Sequence, residues 1–183
     1  MNNVLDVINS RKSVRNYSPD KINPDDLKTI AECAVWAPNA MNEQKWHFTV
    51  VTDPDMLNKM NNACRTAFAQ CPVPMFNEKA ADPNFNAFFN APAVIVVSSE
   101  EDKFTLFDAG AAAQTICIAA KSLGYGTCVT ASTGFMFDGD PGLKADLQIP
   151  ENQSFVCAIT IGKEKEGPDS HVRDRKTEVI SYI

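Results

Sequence analysis

Residues 93–124 read AVIVVSSEEDKFTLFDAGAAAQTICIAAKSLG. Positions 93–98 form a short unbroken apolar run, the pattern of a strand covered on both faces. Positions 104–123 then suit a long helix, ended by Gly124, a natural residue for the left-handed turn that closes a helix. Ala109, Gly110, Ala111, Ala112 and Ala113 follow one another. So many small residues let neighbouring backbone approach closely, so this helix is expected to be central and buried nearly all round.

Working outward from this unit, Val4, Leu5 and Ile8 have helical spacing in a short opening segment that ends near Ser10. Asn23 can cap a second helix, with Pro24 at its first position, Asp25 and Asp26 in its first turn, and a buried stripe of Leu27, Ile30, Ala31, Ala34 and Val35. Pro38 stops it. Residues 47–52 alternate and are β-branched, predicting a strand, and Asp53-Pro54 repeats the cap-plus-proline signal before a helix to about residue 70. Residues 71–91 carry Phe76, Phe85, Phe88 and Phe89 among prolines and asparagines, which predicts a long, partly helical connection. Residues 127–130 and 154–161 are further strands, and Asp140-Pro141 is expected to cap a short helix to residue 147. The tail, 163–183, is charged and then ends in Val179, Ile180, Tyr182 and Ile183, an apolar terminus that wants a surface to cover. With no repeat or linker, the chain reads as one α+β domain over 1–183, helices around four to five strands.

Composition narrows the function. Seventeen basic and 23 acidic residues among 183 give a net charge of −6, which leaves little behind a grip on nucleic acid or an anionic membrane. The six cysteines, Cys33, Cys64, Cys71, Cys117, Cys128 and Cys157, form no C-x-x-C, and His47 and His171 stand apart from them, so zinc and thioredoxin-type chemistry lose their usual signatures. The thiols and His47 are assigned to structure. No stretch reaches the roughly 18 apolar residues of a membrane span. The expectation is a soluble, reduced, cytoplasmic protein.

Three constellations can carry chemistry. Arginine occurs only five times, four of them as two pairs, Arg11 with Arg15 and Arg173 with Arg175. In an acidic protein this fits two chain ends converging on one anion, because guanidinium forks match phosphate oxygens; Lys12 and the Ser13 hydroxyl would add to it. The plainer reading is a solvated basic turn and a solvated tail. Residues 37–46, APNAMNEQKW, hold three carboxamides between Trp36 and Trp46. They suit a heterocycle with mixed donor and acceptor edges, or a loop that bonds its own backbone. Residues 124–132, GYGTCVTAS, are small enough to bring backbone N–H groups to a flat ligand, although a helix cap followed by a core strand explains them equally.

Taken together and in order, R-K-S-V-R, A-P-N-A-M-N-E-Q-K-W-H-F, A-A-K-S-L-G-Y-G-T-C and the late R-D-R resemble the FMN-dependent nitroreductase family over residues 3 to about 176. The resemblance implies an intertwined homodimer with a mixed central sheet and two FMN sites at the subunit interface. By the same resemblance Arg11, Lys12 and Ser13 fall at the phosphate, Arg15 near the ribityl or pyrimidine end, and Arg173 and Arg175 at the late phosphate positions. Tail 163–183 would serve both dimer and phosphate site. Asn42 and Gln44 match the amide motif, the backbone of Pro38, Asn39 and Ala40 would reach the flavin from the partner, Ala131 and Ser132 would lie near N5, and Asn84 would contact the ribityl or pyrimidine group. The chain departs from the family at Asn39, where serine is common, at Lys45, where proline is common, and at residues 129–131, where an aromatic followed by glycine is usual. Ala87 occupies the place of a lysine found in some members, which leaves Arg15 alone at N1/O2.

The implied activity is that of a flavoprotein oxidoreductase: hydride from NADH or NADPH to flavin N5, then in ping-pong fashion to a flat acceptor such as a nitroaromatic or quinone. No metal and no protein nucleophile is called for. The phenylalanines of 71–91 either roof the acceptor slot or belong to the core. Alternatives are a specialised flavin-fragmenting, dehalogenating or heterocycle-oxidising enzyme, a non-catalytic FMN-binding protein, or an interaction module whose arginines are only surface charge.

Overall fold

A computed structural model describes residues 4–165, 167 and 171–183. In chain order it contains α1 (Val4–Ser10), α2 (Pro24–Ala34), β1 (Trp46–Val51), α3 (Pro54–Gln70), α4 (Pro74–Ala81), β2 (Ala93–Ser99), α5 (Thr105–Ser122), β3 (Gly126–Thr130), α6 (Met136–Gly139), α7 (Leu143–Asp146) and β4 (Ser154–Gly162). Local chemistry sets the boundaries. The Asn23 side chain accepts from Asp25 N at 2.9 Å and Asp53 from Met56 N at 2.9 Å, each ahead of a proline at the helix start. Gly124 closes α5 at φ 87°. Asp140 departs from expectation: its carboxylate accepts from Gly142 N, so Asp140-Pro141 forms a turn between two short helices and α7 begins only at Leu143.

The sheet order is β1-β2-β4-β3. All three pairings are antiparallel, which corrects the expectation of a mixed sheet. The strand–helix–strand unit β2-α5-β3 does run both its strands the same way, since each is antiparallel to β4. The last strand inserts between them and separates the parallel pair. Among the described residues, a parallel contact survives only as an isolated bridge of Ser13 to Thr127.

Every residue of β2 is buried, so its alternating side chains feed two cores. Ile95 and Val97 join Ile30 of α2, Ile116 of α5 and Ile159 of β4 on one face, while Val94 and Val96 join Met60 of α3, Met136 and Leu143 on the other. On α5 the buried positions are Ala109, Ala112, Ala113, Ile116, Cys117 and Ala120, a single helical stripe. The opposite face is open, with Leu106 79% and Phe107 73% exposed. Burial nearly all round is therefore not met within one chain, because the buried stripe of small residues packs on α2 and the sheet while the face carrying Leu106 and Phe107 meets neither.

The 71–91 connection is helical at α4 and pinned elsewhere. Asn77 Nδ2 donates to the carbonyls of Phe68, Ala69 and Cys71, Arg65 donates to the Phe85 carbonyl at 2.8 Å, and Asn61 Oδ1 accepts from Ala87 N at 2.8 Å. Phe88 lies in the core below α3, Phe89 packs with Val14, Tyr17 and Ala91, and Phe76 and Phe85 both stack on Phe68. Phe88 is buried, while Phe76, Phe85 and Phe89 are half-buried against these neighbours.

Candidate functional site

Residues 11–17 run beside the sheet as an extra, strand-like ribbon. Val14 N donates to Thr127 O at 2.8 Å, and Lys165 N donates to Asn16 O at 3.0 Å. Val14 and Tyr17 are buried against the sheet and its flanking segment, while Ser13 and Arg15 are exposed. The Tyr17 hydroxyl locks the ribbon, bonding to Val14 O at 2.8 Å and to the Thr160 hydroxyl at 2.7 Å. Burial raises its pKa well above the ordinary tyrosine range. Gly126 is required by the close approach, since a Cβ there would meet the Val14 side chain at 2.6 Å.

Where this ribbon meets the tail lies a cavity of about 500 Å³, within the size range of small-cofactor sites. Lys12, Ser13, Arg15, Arg173 and Arg175 line it together, so residues from both ends of the sequence do converge. Asn16, Glu164 and His171 join them and were missed. Glu164 pairs with Lys12 at 2.9 Å, which leaves the guanidinium groups as the uncompensated charge. Among the described residues no carboxylate forms an ion pair with any of the three arginines. Arg175 Nη1 donates to Arg173 O at 2.7 Å and folds the tail so that both arginines face one space. Three cationic forks that form no ion pair among the described residues suit a ligand that brings its own negative charge.

Arg11 stands beside this cavity rather than in it, lining a small hollow with Lys121 and Tyr125. Its charge is still felt locally. Burial raises the Cys128 and Cys117 thiols; Arg11 pulls both partly back, and at Cys128 Arg15 pulls more strongly. Neutral buried thiols behind the ribbon leave its positive charge undiminished.

The amide loop is a separate feature of the single chain. Met41, Asn42 and Gln44 all have φ of 51–54°, the left-handed region, with no glycine among them. Ala40 N donates to both carboxylate oxygens of Asp108, at 3.1 and 3.2 Å, and Gln44 N donates to Asn39 Oδ1 at 2.9 Å. At the exit, Lys45 O accepts from Gln153 Nε2 at 3.0 Å, and Lys45 Nζ bridges Glu43 and Asp102 at 2.6 and 2.9 Å. Lys45 thus holds the Asp102 carboxyl below its usual range. The carboxamides of Asn42 and Gln44 are exposed and carry no hydrogen bond among the described residues. Pro38, Asn39 and Ala40 share this loop, Ala131 and Ser132 lie at the open end of β3, and Asn84 sits in an exposed turn with Asp82. None of them lines the arginine cavity.

A larger groove of about 770 Å³ runs between α2, the end of β1 and α3, walled by Ile22, Leu27, Val50, Leu57 and Phe88. It is mostly apolar and holds no arginine, so the smaller cavity is the one with convergent chemistry.

Residues 8–163 match the model of the nitroreductase family. A protein of Archaeoglobus fulgidus named as an NADH dehydrogenase/NAD(P)H nitroreductase is 32% identical over 174 residues, covering 95% of this chain and 92% of that one. The 4-nitrobenzoate reductase of a Nocardioides species is 27% identical, covering 86% and 79%. Among solved structures, a nitroreductase from Bacteroides fragilis with bound FMN superposes with a TM-score of 0.92 at 30% identity, covering all of both chains.

Proposed function

The chain belongs to the nitroreductase family, and from that premise we propose that it is an FMN-dependent NAD(P)H oxidoreductase acting on a flat acceptor such as a nitroaromatic or a quinone. The observation that carries the reading is the cavity in which Ser13, Arg15, Arg173 and Arg175 converge, its one described lining carboxylate, Glu164, being paired with Lys12. That donor set fits a phosphate dianion, so the residues present suit FMN. When bound, FMN would supply the hydride chemistry between NADH or NADPH and the acceptor.

The protein's part is placement and electrostatics. The Ser13 hydroxyl and the guanidinium groups of Arg173 and Arg175 hold the phosphate, and Lys12, already engaged by Glu164, contributes charge at longer range. Arg11 approaches from the neighbouring side of the ribbon. Arg15 supplies positive charge that favours the reduced, anionic cofactor. Asn42 and Gln44 would offer their free carboxamides to the ring edge, the backbone of Pro38, Asn39 and Ala40 would pack on the ring, and Ala131 and Ser132 would supply backbone N–H groups on the N5 side. Asn84 is assigned to the ribityl or pyrimidine end.

One chain leaves Trp36, Met41, Leu106 and Phe107 more than 70% exposed, beside the very residues that hold the amide loop. A homodimer covers them and brings the loop of one subunit to the flavin of the other. The exposed apolar end of the tail, Val179 to Ile183, is assigned to the same assembly. No helix of the described residues is long and apolar enough to cross a membrane, and all six cysteines are free thiols, which supports a reducing, cytoplasmic setting.

The test is steady-state kinetics with NADH or NADPH varied at several fixed quinone or nitroaromatic concentrations. Parallel double-reciprocal lines are expected for a ping-pong cycle; turnover too slow to measure with either donor, or intersecting lines, would overturn the proposal.

A further inference from the structure

The loop of residues 39–45 holds three left-handed residues without glycine, a conformation that persists only where its surroundings fix it. Two side chains do so. Asn39 Oδ1 accepts from Gln44 N at 2.9 Å and closes a ring across the loop. Asp108, in the first turn of α5, accepts from Ala40 N with both carboxylate oxygens. The next residue, Ala109, is buried against the sheet, so the second tie reaches rigid ground. Lys45 adds a bridge to Glu43 and Asp102, but those groups are solvated and such pairs hold weakly.

Accepting the functional reading above, we propose that Asn39 and Asp108 are positioning residues for flavin recognition. Neither offers its own side chain to the cofactor. Each binds loop backbone, and the Asn42 and Gln44 carboxamides are thereby left unpaired and held for the edge of the isoalloxazine ring. Asn39 is thus a different kind of residue from the two amides that follow it, although all three share one motif.

The experiment compares Asn39→Ala, Asp108→Ala, Asn39→Asp and the wild type, each checked for a cooperative melt. Affinities for FMN and for riboflavin, which lacks the phosphate, are titrated, and the midpoint potential of bound FMN is measured. Both alanine variants should lose about tenfold toward FMN and toward riboflavin alike, the size of one hydrogen bond to a charged or well-aligned group, and the bound potential should fall. Asn39→Asp keeps an acceptor for Gln44 N and should stay within about threefold of wild type. Should Asp108→Ala fail to fold, Asp108→Asn, which keeps one acceptor oxygen, reads the same pair of affinities and should lie between.

Alanine variants that melt lower yet match wild type in both affinities and in potential would overturn the proposal, as would a loss confined to FMN or an Asn39→Asp variant as weak as Asn39→Ala. A wild type that binds neither flavin would bring down the functional reading and this proposal together; the other outcomes strike this proposal alone.

Discussion

Arg175→Ala is the most informative single perturbation of the anion cavity. Arg175 faces the same space as Arg15 and Arg173, and its Nη1 bond to Arg173 O at 2.7 Å holds the turn that presents the pair. Hydrogen bonds to charged groups contribute about 1.5–3 kcal/mol. Because Arg175 is exposed, solvent screening places its contact at the low end, about 1.5 kcal/mol, or roughly tenfold in affinity. Riboflavin has no phosphate, so its affinity should not change. Arg175→Lys should recover part of the loss, since the charge remains but the planar fork does not. The wild-type advantage should also shrink with salt, as the Debye length falls from about 10 Å at 0.1 M to about 3 Å at 1 M. Flavin fluorescence quenching, titrated with FMN and riboflavin at both salt concentrations, reads all four quantities. FMN affinity unchanged in Arg175→Ala, or FMN and riboflavin weakened in parallel, would refute the assignment of the tail to the phosphate.

Three further outcomes are expected. Gly139→Ala should destabilise the fold by roughly 2–3 kcal/mol, read from urea denaturation, because an added Cβ would press into the backbone carbonyl of Ala63 where α6 crosses α3. The wild type should sediment near 40 kDa, twice its 20.0 kDa chain, and Phe107→Lys should yield a monomer that retains little FMN; a wild-type monomer loaded with FMN contradicts the shared site. Stability should fall above about pH 9: burial pushes the Cys64 and Cys157 thiols up to about 12, so the folded chain keeps protons that the unfolded chain releases from its ordinary thiols. The contribution is complete below pH 9 and is lost progressively toward pH 12. Urea midpoints measured from pH 8 to 10.5 should decline less steeply when both thiols are replaced by alanine.

Much of the architecture is carried by short-range signals. The apolar run at 93–98, the Gly124 stop, and the Asn23-Pro24 and Asp53-Pro54 caps each depend on neighbours a few residues away, and all act as their chemistry predicts. Strand direction is a different matter. Whether β2 and β3 touch depends on where β4, the last strand, inserts, and no local pattern encodes that. Asp140-Pro141 shows the ambiguity of a cap signal, because the same carboxylate geometry serves a turn as well as a helix start.

The site divides along the same line. The arginine pairs are conspicuous through scarcity alone, and five of the six basic or hydroxyl residues expected from the two chain ends, Lys12, Ser13, Arg15, Arg173 and Arg175, line the cavity, with Arg11 alone next door. Glu164 and Asp108 carry no such mark. Asp108 meets Ala40 across 68 residues, and an acid on an apolar helix reads as ordinary helix chemistry until that partner is known. The three carboxamides look equivalent in the sequence; backbone torsions separate Asn39, which bonds within the loop, from Asn42 and Gln44, which do not.

The central claim, that this chain uses FMN to move electrons from a nicotinamide donor, is tested most directly by anaerobic absorbance spectroscopy of the purified, FMN-supplemented protein during addition of NADH and then NADPH. The account predicts one protein-bound FMN per chain whose yellow absorbance bleaches with stoichiometric donor and returns when a quinone is added. Protein that retains no FMN, or that stays yellow with both donors, would contradict it.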